Sequence, residues 1–446
     1  MRSLCDLCAS ALNIRFKYIH RRDAKNAGVA QRIPVRALRS KDMNTRLSLD
    51  ALAIFGGPPA FADKLHVGRP NVGDRERLLK RITDILDSKW LTNGGPQVQE
   101  FEERIAELAG VKHCIAMCNA TIALEIAIRA LDLAGEVIVP SFTFVATAHA
   151  LQWQGITPVF CDIDPRTHTL DPDRVKETIT ARTTGIIGVN LWGRACEIDE
   201  LSKIAEQHRL KLLFDSAHAL GCSYKGRMIG GFGDAEVFSF HPTKFLNSLE
   251  GGAIVTNDAE LARKARLMKN FGFTSYDRTD YIGTNGKMNE VSAAMGLTNL
   301  ESMDEFMAAN RRNYHVYREE LAELEGVSLV PYDETERCNY QYVVLLIDED
   351  KTIVTRDQLV EILHAENVLA RRYFYPGCHR MEPYRSLYPN ASSFLPQTER
   401  VAARVLTVPT GQVITPEIIG RICNIIHTAL ENADGIRDLL ESKSAV

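Results

Sequence analysis

Between Gln97 and about Leu300 the chain alternates short apolar runs with longer stretches of mixed polarity. The runs are "CIAMC" (114–118), "EVIVP" (136–140), "TPVFCDI" (157–163), "TGIIGVN" (184–190), "KLLFD" (211–215), "EVFSF" (236–240) and "GAIVT" (252–256). Most are apolar throughout rather than at every second position, which is the pattern of strands buried on both faces. Between them, "ATIALEIAIRAL" (120–131), "PDRVKETITA" (172–181) and "EIDELSKIAEQHRL" (197–210) read as amphipathic helices. Strand and helix in alternation predict an α/β fold, a mostly parallel central sheet flanked by helices. Ligands then bind beyond the carboxyl ends of the strands.

After Met288 the pattern lengthens. "EVSAAMGLTNLESMDEFMAANRRNYHVYREELAEL" (290–324) predicts long helices. Strands in "VSLVPY" and "YQYVVLLID" follow, then a helix near 356–366, the segment "VLARRYFYP" (368–376) and a final helix from about Glu417. This predicts a smaller α+β C-terminal domain, residues 325–446, behind a large domain with an N-terminal segment, residues 43–324.

Charge sharpens the beginning of the chain. Residues 1–42 carry ten Lys and Arg against three Asp and Glu, leaving 43 against 54 for the rest. Met43 opens "MNTRLSLDALAIFGG", a better start for a folded unit, so residues 1–42 read as a basic, disordered extension. The folded part is acidic, and no nucleic-acid partner is expected. The longest stretch without a formal charge, Val137 to Cys161, is broken by Pro140, Ser141, Thr143, Thr147, Gln152 and Gln154. That is unlike the roughly 20 apolar residues a membrane helix needs, so no membrane partner is expected. Ten cysteines are scattered along the chain, and Cys5-x-x-Cys8 has no second pair near it. The expectation is no metal, free thiols and a cytoplasmic protein.

The chemistry gathers at the predicted strand ends. Asp215 ends one run, and Lys244 in "FHPTK" lies just past another. In a parallel sheet both ends face one side, so a carboxylate and an amine converge there. An amine in a partly desolvated pocket becomes a nucleophile towards a carbonyl carbon, and a carboxylate opposite it holds a pyridine nitrogen protonated, as pyridoxal phosphate requires. The same spacing also fits an ion pair at the edge of the core. In "CNATIAL" a strand gives way to a helix whose start, with Ala120 and Thr121, suits a phosphate or a plain N-cap. Phe144, after the next strand, suits stacking on a planar ring or packing in the core.

The motifs "CNAT", "PSFTFVATA", "FDSAHALG", "GGFGDAEVFSFHPTK", "EGGAIVTND", "GTNGKMNE" and "RRYFYPGCHRMEPY" together resemble the sugar aminotransferases of the DegT/DnrJ/EryC1/StrS family, over about residues 50–430. The resemblance implies the type I fold of pyridoxal-phosphate enzymes and pyridoxal 5'-phosphate as cofactor. It implies that Lys244 carries the cofactor, Asp215 pairs with its pyridine nitrogen, Phe144 stacks on its ring and His218 lies near its ring oxygen. Ala120, Thr121 and Ser239 would hold the phosphate, with Asn285 reaching it from the partner in a homodimer with shared sites. Where many members have Arg, this chain has Lys287, which cannot offer a carboxylate the same bidentate fork.

The implied reaction moves an amino group from L-glutamate to the keto carbon, C4, of a nucleotide-linked 4-keto-6-deoxyhexose, with a dTDP-sugar favoured. Cations for the diphosphate are expected from Arg371, Arg372, His379 and Arg380, with Tyr375 beside them. Within the family a 3-keto sugar or a cyclitol is the alternative substrate. From a different class, a catalytically silent regulator that binds the cofactor or a sugar nucleotide remains open. A Rossmann oxidoreductase does not, because "GRMIGGFGDAE" holds no G-x-G-x-x-G between strand and helix.

Overall fold

The computed structural model describes residues 48–437. The basic arm 1–42, with Cys5 and Cys8, lies outside the described residues. Seven strands make the central sheet: β1 (His113–Met117), β2 (Glu136–Pro140), β3 (Thr157–Cys161), β4 (Thr183–Val189), β5 (Lys211–Asp215), β6 (Ala235–Ser239) and β7 (Gly252–Thr256). Each lies within two residues of the run that predicts it. The order is β1-β7-β6-β5-β4-β2-β3. Only β7 breaks the parallel arrangement, running antiparallel to both β1 and β6. The chain steps outward from β2 to β3 and then crosses back to β4, so the strand order reverses beside β2, where an open sheet leaves a crevice.

Register brings the strand ends level. Met117 pairs with Gly252, and Gly252 with Ser239. Asp215 pairs with Val189 on one side and with Val237, two residues short of Ser239, on the other. The last residues of β1, β4, β5 and β6 therefore share one edge.

Helices cover both faces. On one, α1 (Pro96–Ala109) packs Phe101 and Ile105 with Phe214 and Phe238. On the other, α2 (Ala120–Ala130) packs Leu124 and Ala127 with Leu213 and Val237. A short α3 (Ala146–Gln152) follows the loop after β2. Since successive strand residues alternate in face, Asp215 points with Leu213 and Val237 to the α2 face, and Ser216 to the other.

The helical run expected over 290–324 breaks at Ser302 (φ −106°, ψ 9°), giving α4 (Glu290–Glu301) and α5 (Met303–Glu320). α5 spans two cores, with Met303 and Phe306 in that of the large sheet and Tyr314 and Tyr317 in a second. This second core surrounds an antiparallel sheet of β8 (Val327–Leu329), β9 (Val343–Ile347) and β10 (Val405–Val408), with α6 (Arg356–Ala365) and α7 (Pro416–Glu431) packed on it. Leu52, Phe61 and Leu65 are buried here too, and Leu65–His66 pairs with Val368–Leu369. In the segment 368–376 only those two residues form a strand. The rest turns, because Pro376 and Gly377 (φ +89°) cannot continue one, and the turn presents Tyr373 and Phe374 towards the large sheet's edge. Among the described residues no helix is long and apolar enough to cross a membrane.

Asp162, just past β3, fastens the C-terminal elements to that edge. Its buried carboxylate accepts the Gln397 N–H (2.9 Å) and both the N–H and the hydroxyl of Thr398 (2.8 Å each). Asp162→Ala strands three donors, two of them on the buried Thr398. The expected loss of stability is roughly 3 kcal/mol, measured as a lower denaturant midpoint.

Candidate active site

A cavity of about 480 Å³ opens where the strand ends meet. One wall is the start of α2. Asn119 leaves β1 extended (φ −163°), and its side chain accepts the Ile122 N–H at 2.8 Å while its carbonyl takes that of Ala123 at 3.2 Å. Of the amides a helix start leaves over, Asn119 answers that of Ile122, while those of Ala120 and Thr121 sit on residues that line the cavity. β7 comes unusually close here. A Cβ on Gly252 would lie 2.5 Å from the Ala120 nitrogen, so the glycine permits the approach that shapes the cradle. Ser239, level with Gly252, adds a hydroxyl to the same lining.

Asp215 forms the opposite end. Its Oδ2 accepts the Thr147 hydroxyl at 2.8 Å and its Oδ1 the Ala217 N–H at 3.1 Å. Burial pushes its pKa up, with those two donors and the Lys244 amine pulling it back. Lys244 lies in the turn after β6, its N–H donating to the His241 carbonyl at 2.9 Å. Burial of its amine brings its pKa down to about 8, against the opposing pull of Asp215. At neutral pH a fraction of this lysine is therefore an uncharged nucleophile.

His218 accepts the Trp192 backbone N–H on Nδ1 at 3.2 Å. Burial, and then Lys244, hold its pKa well below the ordinary range, so the ring is neutral with its proton on Nε2. It lies parallel to Phe374 with centroids 5.8 Å apart. Phe144, 57% exposed, leans over the cavity beside Phe374, centroid to centroid 6.4 Å.

The arrangement joins an anion cradle, a nucleophilic amine, a buried carboxylate and an aromatic lid, the set that pyridoxal 5'-phosphate requires. Lys244, Asp215, His218, Ala120, Thr121, Phe144 and Ser239, all predicted from sequence, line this one space. Thr147, which orients Asp215, was not among them, nor were Tyr342, His241 and Glu250, which also line it. Thr147 sits three residues past Phe144 at the start of α3, a placement that marks it only once β2 and β5 are known to flank β4 in one sheet.

The other predicted residues lie elsewhere. Asn285 is exposed, its backbone bridged to Asn270. Lys287 donates to Asn270 Oδ1 at 2.9 Å and sits 4.9 Å from the centre of the Phe271 ring. Arg371 stacks on Tyr373 at 5.0 Å, and Arg372 stacks on Tyr375 at 4.7 Å while donating to Asp357 at 2.8 Å. His379 is not the open cation expected of it. It is 2% exposed, with Nδ1 bonded to Ser141 Oγ (2.6 Å) and Nε2 to Glu399 Oε1 (2.8 Å), and burial lowers its pKa. Arg380 does face a second cavity, of about 400 Å³, which Tyr375 and Arg385 also line.

Residues 73–427 match the DegT/DnrJ/EryC1/StrS aminotransferase family. The chain is 35% identical over 363 residues to the dTDP-4-amino-4,6-dideoxy-D-glucose transaminase of Escherichia coli, covering 81% of this chain and 97% of that one. It is 35% identical over 373 residues to the GDP-perosamine synthase of Caulobacter vibrioides, covering 82% and 98%. Among solved structures, DesI in the presence of its TDP-sugar product is similar with a TM-score of 0.85 and 52% identity, over 88% of this chain and all of that one. Helicobacter pylori PseC, an aminotransferase involved in the biosynthesis of pseudoaminic acid, is similar with a TM-score of 0.77 and 28% identity, over 83% and 100%.

The lowered pKa of Lys244 carries a signed prediction. Between the folded value of about 8 and the model-peptide value of 10.5, the unfolded chain binds more protons than the folded one, so this lysine's contribution to stability improves as pH rises. Below that window its folded-state charge is a cost. Lys244→Met is therefore expected to stabilise the cofactor-free protein most at or below neutral pH, with the gain shrinking from pH 8 to 10.5. Paired denaturation curves across that range decide it.

Proposed function

Because the chain belongs to the DegT/DnrJ/EryC1/StrS aminotransferase family, we propose that it transfers the amino group of L-glutamate to C4 of a nucleotide-linked 4-keto-6-deoxyhexose, giving an amino-dideoxy sugar nucleotide and 2-oxoglutarate. It is a transaminase that takes pyridoxal 5'-phosphate. The convergence of the Lys244 amine, the Asp215 carboxylate and the Ala120–Thr121 cradle on one cavity carries the reading. Bound there, pyridoxal phosphate supplies the electron sink that makes an α-proton of the amino acid removable.

The chain's own residues would do the rest. The amides of Ala120 and Thr121 and the Ser239 hydroxyl hold the phosphate, while Asp215, aimed by Thr147 and Ala217, faces the pyridine nitrogen. A protonated ring nitrogen opposite Asp215 would add to the positive charge that Lys244 already lends its buried carboxylate. His218 offers its Nε2–H to the ring oxygen, and Phe144 covers the ring's face. Lys244 Nζ anchors the cofactor and then, as the nearest amine with a pKa of about 8, takes the proton from the donor's α carbon and later delivers one at C4 of the sugar.

The site is completed by a second copy of the chain. Among the described residues lining the cavity there is no arginine, and Lys244 is its lone lysine, so a phosphate dianion is incompletely answered within one subunit. Asn285 of the partner subunit supplies a donor to the phosphate, and the partner's Lys287 a cation to the amino donor. The neighbourhood of both supports burial against a partner, with Tyr276 91%, Ile282 76%, Phe271 46% and Phe273 42% exposed. Arg371, Arg372 and Tyr375, next to Tyr373 and Phe374 in the turn, serve the sugar's diphosphate. The DesI structure with its TDP-sugar favours a dTDP-linked substrate. The described cysteines are unpaired, which supports a cytoplasmic setting.

Purified protein supplied with pyridoxal phosphate is expected to show a visible absorption band that L-glutamate bleaches in wild type and that Lys244→Ala lacks. A band that glutamate leaves untouched would point to a silent binding protein instead. A ketosugar nucleotide panel then separates C4 from C3 substrates by product analysis. The shared site has its own test. Lys244→Ala and Asn285→Ala chains, each inactive alone, are expected to regain roughly a quarter of wild-type activity on mixing and reassociation, because half of randomly paired dimers carry one intact site. Failure of mixing to restore activity would place Asn285 outside the shared site.

A further inference from the structure

Glu236 is an anomaly in the middle of the sheet. It lies on β6, opposite Phe214 of β5, fully buried among the aromatic residues of the α1 face. A carboxylate there is expensive unless every oxygen is answered. Each one is. Glu236 Oε1 accepts the N–H groups of Gly230 (2.7 Å) and Phe232 (2.9 Å), and Oε2 accepts the Ser216 hydroxyl. Ser216 in turn accepts from Asn190 Nδ2 at 2.8 Å, at the end of β4. Burial pushes the Glu236 pKa up to about 7, with all three donors favouring the ionised form.

The place of Ser216 gives this network its reach. It follows Asp215 directly, and its backbone N–H donates to the Val237 carbonyl at 2.9 Å. Asp215 and Ser216 project to opposite faces, so a side chain pinned on the α1 face fixes the rotation of the backbone that aims the carboxylate on the α2 face. The Asp215 carbonyl is itself held by the Asn190 N–H at 3.0 Å.

We infer that Glu236, acting through Ser216, is a positioning residue that holds the Asp215 carboxylate in register with the cofactor's pyridine nitrogen. The inference rests on the cofactor reading above. A purely structural Glu236 would brace the 230–232 loop without affecting Asp215. Ser216→Ala separates the two roles, because it leaves both loop amides bonded to Glu236 while removing the hydroxyl that joins Glu236 to the Asp215 backbone and to Asn190.

The test is pyridoxal phosphate binding to the cofactor-free protein, followed by fluorescence quenching, together with the pH at which the visible band titrates and the melting temperature. Glu236→Ala and Ser216→Ala are each expected to weaken binding roughly 10-fold and to move the band's titration, while the double variant is no weaker than Glu236→Ala alone. Glu236→Gln, which still reaches all three segments, is expected to recover most of the affinity. Wild-type affinity and an unshifted band in Ser216→Ala would overturn the inference, however far any melting temperature falls. Should Glu236→Ala not fold, Ser216→Ala and Glu236→Gln decide it. If wild type itself takes up no pyridoxal phosphate, the aminotransferase reading fails and this inference with it.

Discussion

A carboxylate buried at the end of a parallel strand is unstable unless donors and a positive partner meet it there, and the arrangement around Asp215 meets that demand from several elements at once. α3 brings the Thr147 hydroxyl, the turn after β5 brings the Ala217 amide, and the connection after β6 brings Lys244. None of these would be in reach if the sheet's register slipped. A shift of one residue would send Asp215 to the α1 face and its donors would remain on the other. The apolar packing of both faces therefore does more than stabilise the sheet, since it decides on which side the chemistry stands.

The same low-dielectric setting explains the contrast between Lys244 and His218 on one hand and Asp215 on the other. Burial disfavours every charge, so the lysine and histidine fall in pKa and the aspartate rises. A zwitterionic cofactor reverses the balance. On the proposed reading its phosphate would meet the amides of Ala120 and Thr121, and its ring nitrogen the Asp215 carboxylate.

Much of this was legible along the chain because it follows from local rules. Seven apolar runs announced seven strands; Asp215 ends one of them, and Lys244, Ala120 and Phe144 each stand a few residues beyond another. What stayed hidden depends on neighbours distant in sequence. Gly252 looks like half of a glycine pair until β7 is seen against the Ala120 amide, and Thr147 looks like one polar residue in an apolar helix until its hydroxyl is seen on Asp215, across β4 from the strand that precedes it. His379 read as a surface cation because charge patterning says nothing about burial, and Ser141 and Glu399 take both its nitrogens. The segment 368–376 has the apolar content of a strand, yet Pro376 and Gly377 end the ladder and turn its aromatic residues towards the cavity. The break at Ser302 was equally invisible, since residues on both sides of it favour helix.

The second core has a temporal consequence. Leu52, Phe61 and Leu65 belong to it, and the Ala53 and Ala60 amides are bonded to the Glu366 carboxylate across 313 and 306 residues of sequence. During synthesis these early apolar residues leave the ribosome long before their partners exist. At ordinary elongation rates the wait is roughly 15–60 s. The strands of the large sheet, residues 113–256, are all made within that interval. Residues 52–65 can therefore take their place in this core only once Glu366 and the C-terminal elements have been made.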